Sequence, residues 1–309
     1  MGEETMDLAA DDAVEAILRG GLAREARALT AVVPVLRHLL GSEAQSLVSD
    51  AILARVRGMI RDIAAQLSAA GAGRDPAARA AGGDPAGIDA LAESLLADAA
   101  LLAHCHALAT ESLVADRLQQ RHAIDPVLSP LLQELIAAED PAVAALAMAT
   151  LAAQSRFVQG QRRMELPLGE LPAELFHALI ARADAPGSAG IARLQTGYDE
   201  AASRLGLLAR LVAAMRRGAV AALAIDHAGL ALFASTLARE TRAERGAVVL
   251  ACHEGQSLRL ALLLRAAGLA APAIERQLVL AEPAAQLPVA IGALAPQRAA
   301  ALLAADGPA

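Results

Sequence analysis

The sequence contains no Lys, no Asn and no Trp, and aromatic residues make up only 1% of its 309 positions. All 27 basic residues are therefore Arg, a bias that is typical of G+C-rich coding DNA and predicts a bacterial source. Without Asn the chain has no acceptor for N-glycosylation. Without Lys it cannot form a P-loop for nucleotide phosphates, because that motif requires Gly-Lys-Ser/Thr.

Residues that favour β-strands are scarce, whereas Ala and Leu, which favour helices, are abundant. Hydrophobic residues make up 56% of the chain, so the core must be built mainly from aliphatic side chains. Asp125-Pro126 and Asp140-Pro141 repeat one helix-start signal, a capping acid followed by Pro. We predict an all-α fold of stacked antiparallel helices, either an α-α superhelix or an irregular HEAT-like array, with an N-terminal helical segment.

The stretch from Ala69 to Gly87 is rich in Gly, Pro, Ala and Asp and has no large apolar side chain. Such a stretch buries too little apolar surface to offset the entropy lost on ordering it. We therefore predict an N-terminal helical segment over residues 1–69, a flexible linker over 70–87 and a helical array over 88–309.

Helix boundaries can be predicted from Gly, Pro and capping residues. We expect Gly20-Gly21 to break the first helical stretch, Ser42 to begin the next helix and Asp89 to cap the first helix after the linker. Leu194–Met215 should form one long helix. Ser257–Ala267 is apolar on nearly every side, which predicts a central helix with neighbours all around it.

The chain carries a net charge of -7 at pH 7. An acidic protein does not attract a phosphate backbone through its overall field, so we expect no nucleic-acid partner. Binding of nucleic acid through one local Arg-rich face remains an alternative, and steep salt dependence would reveal it.

The segment Met1–Asp12 is acidic and has no basic residue, the reverse of a secretory signal. The best uncharged apolar run, Pro141–Ser155, is shorter than the roughly 20 residues that cross a bilayer. We therefore predict a cytoplasmic protein without a membrane partner.

Three short patterns suggest chemistry at first sight. His104 and His106 resemble metal ligands, but alternate residues of a helix diverge and do not share one ion. Glu174 and His177 have the Glu-x-x-His spacing of di-iron bundles, which require a second such motif that this chain lacks. Cys252-His253-Glu254 offers a nucleophile beside a base without a recognisable oxyanion hole.

These patterns lead us to predict no catalytic residue, no metal ligand and no cofactor. Cys105 and Cys252 lie far apart within helical apolar patterns and are expected to be buried, reduced thiols.

Two basic pairs occur near predicted helix connections, and we predict that they contribute to partner binding. They are Arg162 with Arg163 and Arg216 with Arg217. Because no set of polar residues converges in the sequence, the leading hypothesis is a non-enzymatic interaction or regulatory scaffold that binds another protein. The alternative is a helical small-ligand-binding protein or enzyme with its site near the 159–177 connector. The sequence leaves the oligomeric state open.

Three blocks carry a family resemblance: LPLGELPAELFHALIARAD at Leu166–Asp184, GLALFASTLA at Gly229–Ala238, and LRLALLLRAAGLAAPAIERQLVLA at Leu258–Ala281. The chain from Leu151 to Ala281 resembles an uncharacterised bacterial family, domain of unknown function 2336, especially its Ala-rich alphaproteobacterial members. The resemblance implies an all-helical bacterial protein without an assigned activity. It supplies no catalytic residue to carry over.

Overall fold

The computed structural model describes residues 2–41, 49–78, 84–183 and 188–305. Within these ranges the chain forms α-helices joined by turns and short 3-10 segments, and it contains no β-strand, so the predicted all-α fold is confirmed. The helices are α1 Gly2–Gly41, α2 Asp50–Gly71, α3 Pro85–Leu95, α4 Ala99–His122, α5 Pro130–Ile136, α6 Pro141–Arg162, α7 Ala173–Arg182, α8 Ala189–Gly197, α9 Arg204–Met215, α10 Ile225–Thr241, α11 Arg245–Ala251, α12 Ser257–Ala266, α13 Ala271–Ala281, α14 Val289–Ala293 and α15 Pro296–Ala305. The 3-10 segments are Pro76–Ala78, Leu168–Glu170, Glu200–Ala202 and Arg216–Leu223.

The expected break at Gly20-Gly21 is wrong, because α1 continues through both glycines. A glycine inside a helix costs only about 1 kcal/mol, and burial of Leu18 and Leu22 on either side outweighs that cost. Gly21 also lies where a Cβ atom would overlap the side chain of Leu258 on α12, so the small residue permits close helix packing. The predicted start at Ser42 lies outside the described residues.

Asp89 does not begin a helix; it lies within α3. The cap of α3 is Asp84, whose carboxylate accepts hydrogen bonds from two backbone N–H groups and which is followed by Pro85 at the start of the helix. Asp98 then caps α4 by accepting from the N–H of Leu101 at 3.0 Å. The prediction failed because Asp84-Pro85 is the stronger start signal and lay inside the presumed linker.

Leu194–Met215 forms two helices, α8 and α9, and not the single helix predicted. The chain is extended at Tyr198 and Asp199, and a 3-10 turn follows. The Ser203 hydroxyl accepts from the N–H of Gly206 at 3.1 Å and caps α9. Side-chain capping satisfies amide groups that a continuous helix would pair internally, which stabilises the break.

Two apolar clusters form the core, and α1 and α4 contribute to both. The first cluster combines α2, α3 and α7 with the first half of α4, including Leu101 and Leu108. The second combines α5 and α9–α15 with the second half of α4, including Val114 and Leu118. The predicted central helix is confirmed as α12, in which Leu260, Leu262 and Leu264 are fully buried within the second cluster.

The N-terminal helices pack on the rest of the protein. α1 contacts α4 and α12, and α2 packs against α3, α4 and α8. Within the predicted linker, α2 continues to Gly71 and α3 begins at Pro85, while residues 79–83 lie outside the described part of the chain. The division into domains at residues 70–87 stays a prediction.

Candidate functional site

A buried cluster of charged side chains occupies the junction of the two apolar clusters. Glu111 projects from α4, Arg204 from the first residue of α9 and Arg245 from the first residue of α11. The oxygens of Glu111 accept two hydrogen bonds from Arg204, both at 2.8 Å, and two from Arg245 at 2.8 and 2.7 Å. One carboxylate is therefore held between two bidentate guanidinium groups.

Neighbouring helices satisfy the remaining groups of this cluster. Gln154 on α6 accepts from Arg204 Nη1 at 3.0 Å, and Arg245 Nε donates to the Ser235 hydroxyl on α10 at 2.9 Å. The guanidinium carbon of Arg204 also lies 3.6 Å from the centre of the Phe157 ring, a cation–π contact. The cluster thus ties α4, α6, α9, α10 and α11 together.

The electrostatics of the cluster make Glu111 a fixed anion. Burial by itself would raise the pKa of Glu111, but the charges and hydrogen bonds of Arg204 and Arg245 outweigh burial and hold the pKa well below its ordinary value. Four guanidinium hydrogen bonds surround its two oxygens, so this carboxylate is not arranged to take up a proton. The ion pairs and hydrogen bonds of this cluster hold the helices together.

His104 and His106 lie on α4 near this cluster. Burial, together with the smaller effects of the Arg204 and Arg245 charges and against the opposing effect of Glu111, lowers the pKa of His104 to about 4. Burial, with a smaller effect from His253, lowers the pKa of His106 to about 4. Both imidazoles are therefore neutral at pH 7.

A cavity of about 180 Å³ lies beside the charged cluster, between α4, α6, the 163–170 connector and the start of α9. Its apolar lining comes from all four elements: Leu108, Phe157, Leu166, Pro167 and Leu205. The connector is held in place where the N–H of Leu166 donates to Asp62 on α2 at 2.9 Å and the N–H of Leu168 donates to Gln66 at 3.0 Å. The cavity walls therefore belong to the packed body of the protein.

Most of the charged groups around this cavity are already paired. Arg163 Nε donates to Glu165 at 3.0 Å, and Glu170 accepts from the backbone N–H of Arg204 at 2.7 Å. Arg156 also lines the cavity, and its side chain is joined to no other residue by an ion pair or hydrogen bond within the ranges that the structure describes. A guanidinium without an internal partner is thus available at the cavity.

The outer face of α6 presents a second feature, a regular exposed stripe. Its members follow one another at alternating intervals of three and four residues, the spacing of a coiled-coil seam. We call this set the outer stripe of α6: Ala142, Ala145, Ala149, Ala152, Arg156, Gln159 and Arg163. Met148 lies beside the stripe with 51% of its surface exposed.

The composition of α6 is unusual for so exposed a helix. Of the helices that the structure describes, α6 is the one whose length and apolar character would allow it to cross a membrane, and 22% of its most apolar window is buried. The uncharged apolar run Pro141–Ser155 forms the first part of this helix, which continues to Arg162. The predicted cytoplasmic location stays a prediction.

The predicted partner-binding arginines occupy three different environments. Arg162 is exposed at the end of α6 and lines a surface groove with Val127, Met148 and Leu151. Arg163 is exposed on the other side of the same helix end and lines the cavity. Arg216 is exposed at the end of α9, and the side chain of Arg217 lies outside the described part of the structure. Arg162 and Arg163 therefore lie on two different surfaces, the groove and the cavity.

The Glu174/His177 and Cys252-His253-Glu254 patterns noted in the sequence do not come together in one site. Glu174 and His177 are exposed on α7, where His177 packs edge-on against Phe176. His253 directs Nδ1 toward the carbonyl oxygen of Glu254 at 2.9 Å. Among the residues that the structure describes, no group of three or more His, Cys, Asp or Glu side chains could hold a metal ion.

Both cysteines are free, as predicted, and both are buried. Burial raises the pKa of each thiol to about 12, so neither is a thiolate at neutral pH.

Sequence reasoning missed the charged cluster and the cavity next to it. The available signal was Glu111 itself, an acid at helical spacing between Leu108 and Val114 on the buried side of α4. A carboxylate on an apolar stripe requires a partner, because an unpaired buried charge is very costly. Its partners could not be identified, since they lie 93 and 134 positions away in the chain.

No protein-family model, curated protein or solved structure matches this chain. The resemblance to the family of unknown function therefore stays a prediction.

Proposed function

We propose that the protein is a non-enzymatic interaction protein, a helical scaffold that binds a partner helix along the outer stripe of α6. The observation that supports this proposal is the exposure of that stripe over the whole length of an apolar helix. Its first four members are Ala, and small side chains allow a second helix to approach closely. Four exposed alanines in regular helical register form an apolar surface that suits another helix better than water.

The partner that best fits this stripe is a second copy of the same α6, packed antiparallel across a two-fold axis. If the two stripes cross between Ala149 and Ala152, Ala145 of each copy faces Arg156 of the other. In the same register Glu139, just before the helix, faces Arg162 at its end. Within the described residues neither Glu139 nor Arg162 has an ion pair or hydrogen bond of its own, so the two opposite charges are available to each other.

The expected dimer is weak. A helix of 22 residues is roughly 33 Å long, and a contact band about 10 Å wide gives on the order of 300 Å² per partner. That area is well below the roughly 800 Å² per partner of a standard stable interface. Self-association should therefore appear at concentrations on the order of 10 µM to 1 mM.

Sedimentation velocity over that concentration range tests the proposal. The parent protein should show a monomer–dimer equilibrium, and Ala149→Arg at the centre of the stripe should remain monomeric. Ala273→Arg is the matched control, since Ala273 is an exposed alanine on α13, and it should dimerise like the parent. A parent protein that stays monomeric throughout, or that associates equally well with Ala149→Arg, would show that the stripe is not a self-association surface.

The predicted charge contact offers a separate test. Glu139→Arg should weaken dimerisation by placing Arg opposite Arg162, whereas the double variant Glu139→Arg/Arg162→Glu should restore it because both pairs are opposite in sign again. If the double variant dimerises more weakly than the single variant, the antiparallel register is wrong. If the protein does not self-associate but sediments together with lipid vesicles, the apolar face of α6 would instead be assigned to membrane binding.

A further inference from the structure

We propose that the cavity between α6 and the 163–170 connector is a binding site for a small monocarboxylate with a compact apolar body, of about the size of benzoate. The inference rests on three features of the cavity: its volume, its apolar walls and the position of Arg156. It does not rest on self-association through α6, because it requires only one copy of the chain, although Arg156, Gln159 and Arg163 belong both to the cavity lining and to the outer stripe.

The volume limits the ligand to a small molecule. A cavity of about 180 Å³ is somewhat larger than the ~150 Å³ apolar cavities that bind benzene. A benzene-sized ring or a short branched chain therefore fills the enclosed part, and a carboxylate extends toward the protein surface. A nucleotide or a peptide is too large for this space.

The walls favour an apolar body inside the cavity. Leu108 and Leu205 approach from α4 and α9, and Leu166 and Pro167 form the side contributed by the connector. Phe157 also lines the cavity, and Arg204 lies over one face of its ring. Burial of apolar ligand surface against such walls is favourable by about 25 cal/mol per Å².

The charges of the cavity favour an anion at one end of the ligand. Arg163 is paired with Glu165, and the guanidinium of Arg204 is bound by Glu111 and Gln154. Glu170 accepts from the backbone of Arg204. Arg156 is the one of the three lining arginines without an internal ion pair or hydrogen bond in the described structure, and its planar guanidinium can bind a carboxylate through two hydrogen bonds.

The site is largely formed before a ligand arrives. The charged cluster fixes Arg204, and Gly160 lies so close to the connector that an added Cβ would be 3.3 Å from the carbonyl oxygen of Glu165. Rigid walls reduce the entropy lost on binding. For a ligand of about nine non-hydrogen atoms we expect a dissociation constant on the order of 0.1–1 mM.

The test uses benzoate as the probe and the full-length protein with ¹³C-labelled Leu methyl groups, observed by NMR. Benzoate should shift the methyl signals of Leu108, Leu166 and Leu205 in a saturable manner. Benzamide, which has the same shape without the charge, should bind about 10-fold or more weakly, since an ion pair to a guanidinium is lost. Inorganic phosphate should leave these methyl signals unchanged because it has no apolar body.

Two neighbouring variants separate the role of Arg156 from a general effect of charge. Arg156→Gln should lower benzoate affinity about 10-fold or more and should bind benzoate and benzamide alike. Arg162→Gln, which removes the same charge on the groove side of α6, should bind benzoate like the parent. Ala149→Arg should also bind normally, so loss of self-association leaves this test unaffected.

Absence of saturable methyl shifts up to about 10 mM benzoate would overturn the proposal, since the expected affinity lies well within that range. Equal affinity for benzoate in Arg156→Gln and Arg162→Gln would overturn the assignment of Arg156 as the anion-binding group. Shifts confined to residues far from the cavity would place the benzoate elsewhere.

Discussion

Glu111 on α4 and Arg204 at the start of α9 form a bidentate ion pair with both oxygen–nitrogen distances at 2.8 Å. The pair lies between the two apolar clusters, and 3% of the Arg204 side chain and 2% of the Glu111 side chain are exposed. Arg245 binds the opposite side of the same carboxylate. A single acidic side chain at the junction of the two clusters therefore balances two guanidinium groups, of which that of Arg204 is buried and that of Arg245 is partly exposed.

Replacing Glu111 with Gln should destabilise the protein strongly, although the two side chains have nearly the same shape. Glu111→Gln leaves Arg204 and Arg245 without a counter-ion, and we expect a loss of about 3–5 kcal/mol in the free energy of unfolding. The control is Glu254→Gln, which removes a half-exposed ion pair to Arg121 and should cost less than about 1 kcal/mol. Urea denaturation measures both values, and similar losses in the two variants would contradict the assigned role of Glu111.

Stability should fall with decreasing pH in two separate windows. The folded pKa values of His104 and His106 are lowered to about 4 from an ordinary value of 6.5. Between these values the unfolded chain binds more protons than the folded one, so stability is present above pH 6.5 and is lost as the pH falls toward 4. Each histidine contributes on the order of 1.4 kcal/mol per pKa unit.

Glu111 affects the pH dependence of stability only in a lower pH range than the histidines. Its folded pKa lies far below the ordinary value of 4.5, so its contribution is present above that value and is lost only as the pH falls below it. Thermal melts between pH 4.5 and 7 therefore separate the effect of the histidines from that of Glu111. His104→Gln and His106→Gln should each flatten the dependence of the melting temperature on pH in this range, and an unchanged slope in both variants would show that neither imidazole is buried in its neutral form.

Local features of the fold were predictable from the sequence, whereas contacts between distant segments were not. Asp140-Pro141 marks the start of α6, and the Leu-rich segment that begins at Ser257 is the buried helix α12, because capping and burial leave a pattern in neighbouring residues. The cavity depends on Leu108, residues 156–170 and Leu205 meeting in space. Periodicity in one segment carries no information about which other segment it contacts. The alternative of a site near the 159–177 connector therefore named one wall of the cavity, whereas the neighbouring ion pair of Arg204 and Glu111 was not predicted.

Two glycines of α8 should respond oppositely to the same substitution. A Cβ atom on Gly190 would overlap the backbone carbonyl of Ala70 on α2, whereas a Cβ on Gly197 meets nothing within 4 Å. Gly190→Ala should therefore destabilise the protein by about 1–3 kcal/mol through overpacking. Gly197→Ala should be neutral or stabilise it by up to about 1 kcal/mol, because Ala restricts the unfolded chain.

Chemical denaturation of the two alanine variants tests how closely α2 and α8 pack. Both changes add one methyl group to one helix, so helix propensity alone predicts a gain in each. Equal stability changes would mean that α8 lies farther from α2 than in the structure described above.

The burial of α12 can be tested with two introduced charges. Leu262 is fully buried, whereas Val279 on the adjacent α13 is 50% exposed. Leu262→Asp places an unpaired carboxylate among Leu side chains and removes a packed side chain. We therefore expect a loss of more than about 4 kcal/mol in the free energy of unfolding, and the second apolar cluster, to which α12 belongs, should not fold. Val279→Asp can keep its charge in water and should change stability by less than about 1 kcal/mol. Circular dichroism melts and hydrogen exchange of α12 amides measure the difference, and a Leu262→Asp protein as stable as Val279→Asp would contradict the central position of α12 in the core.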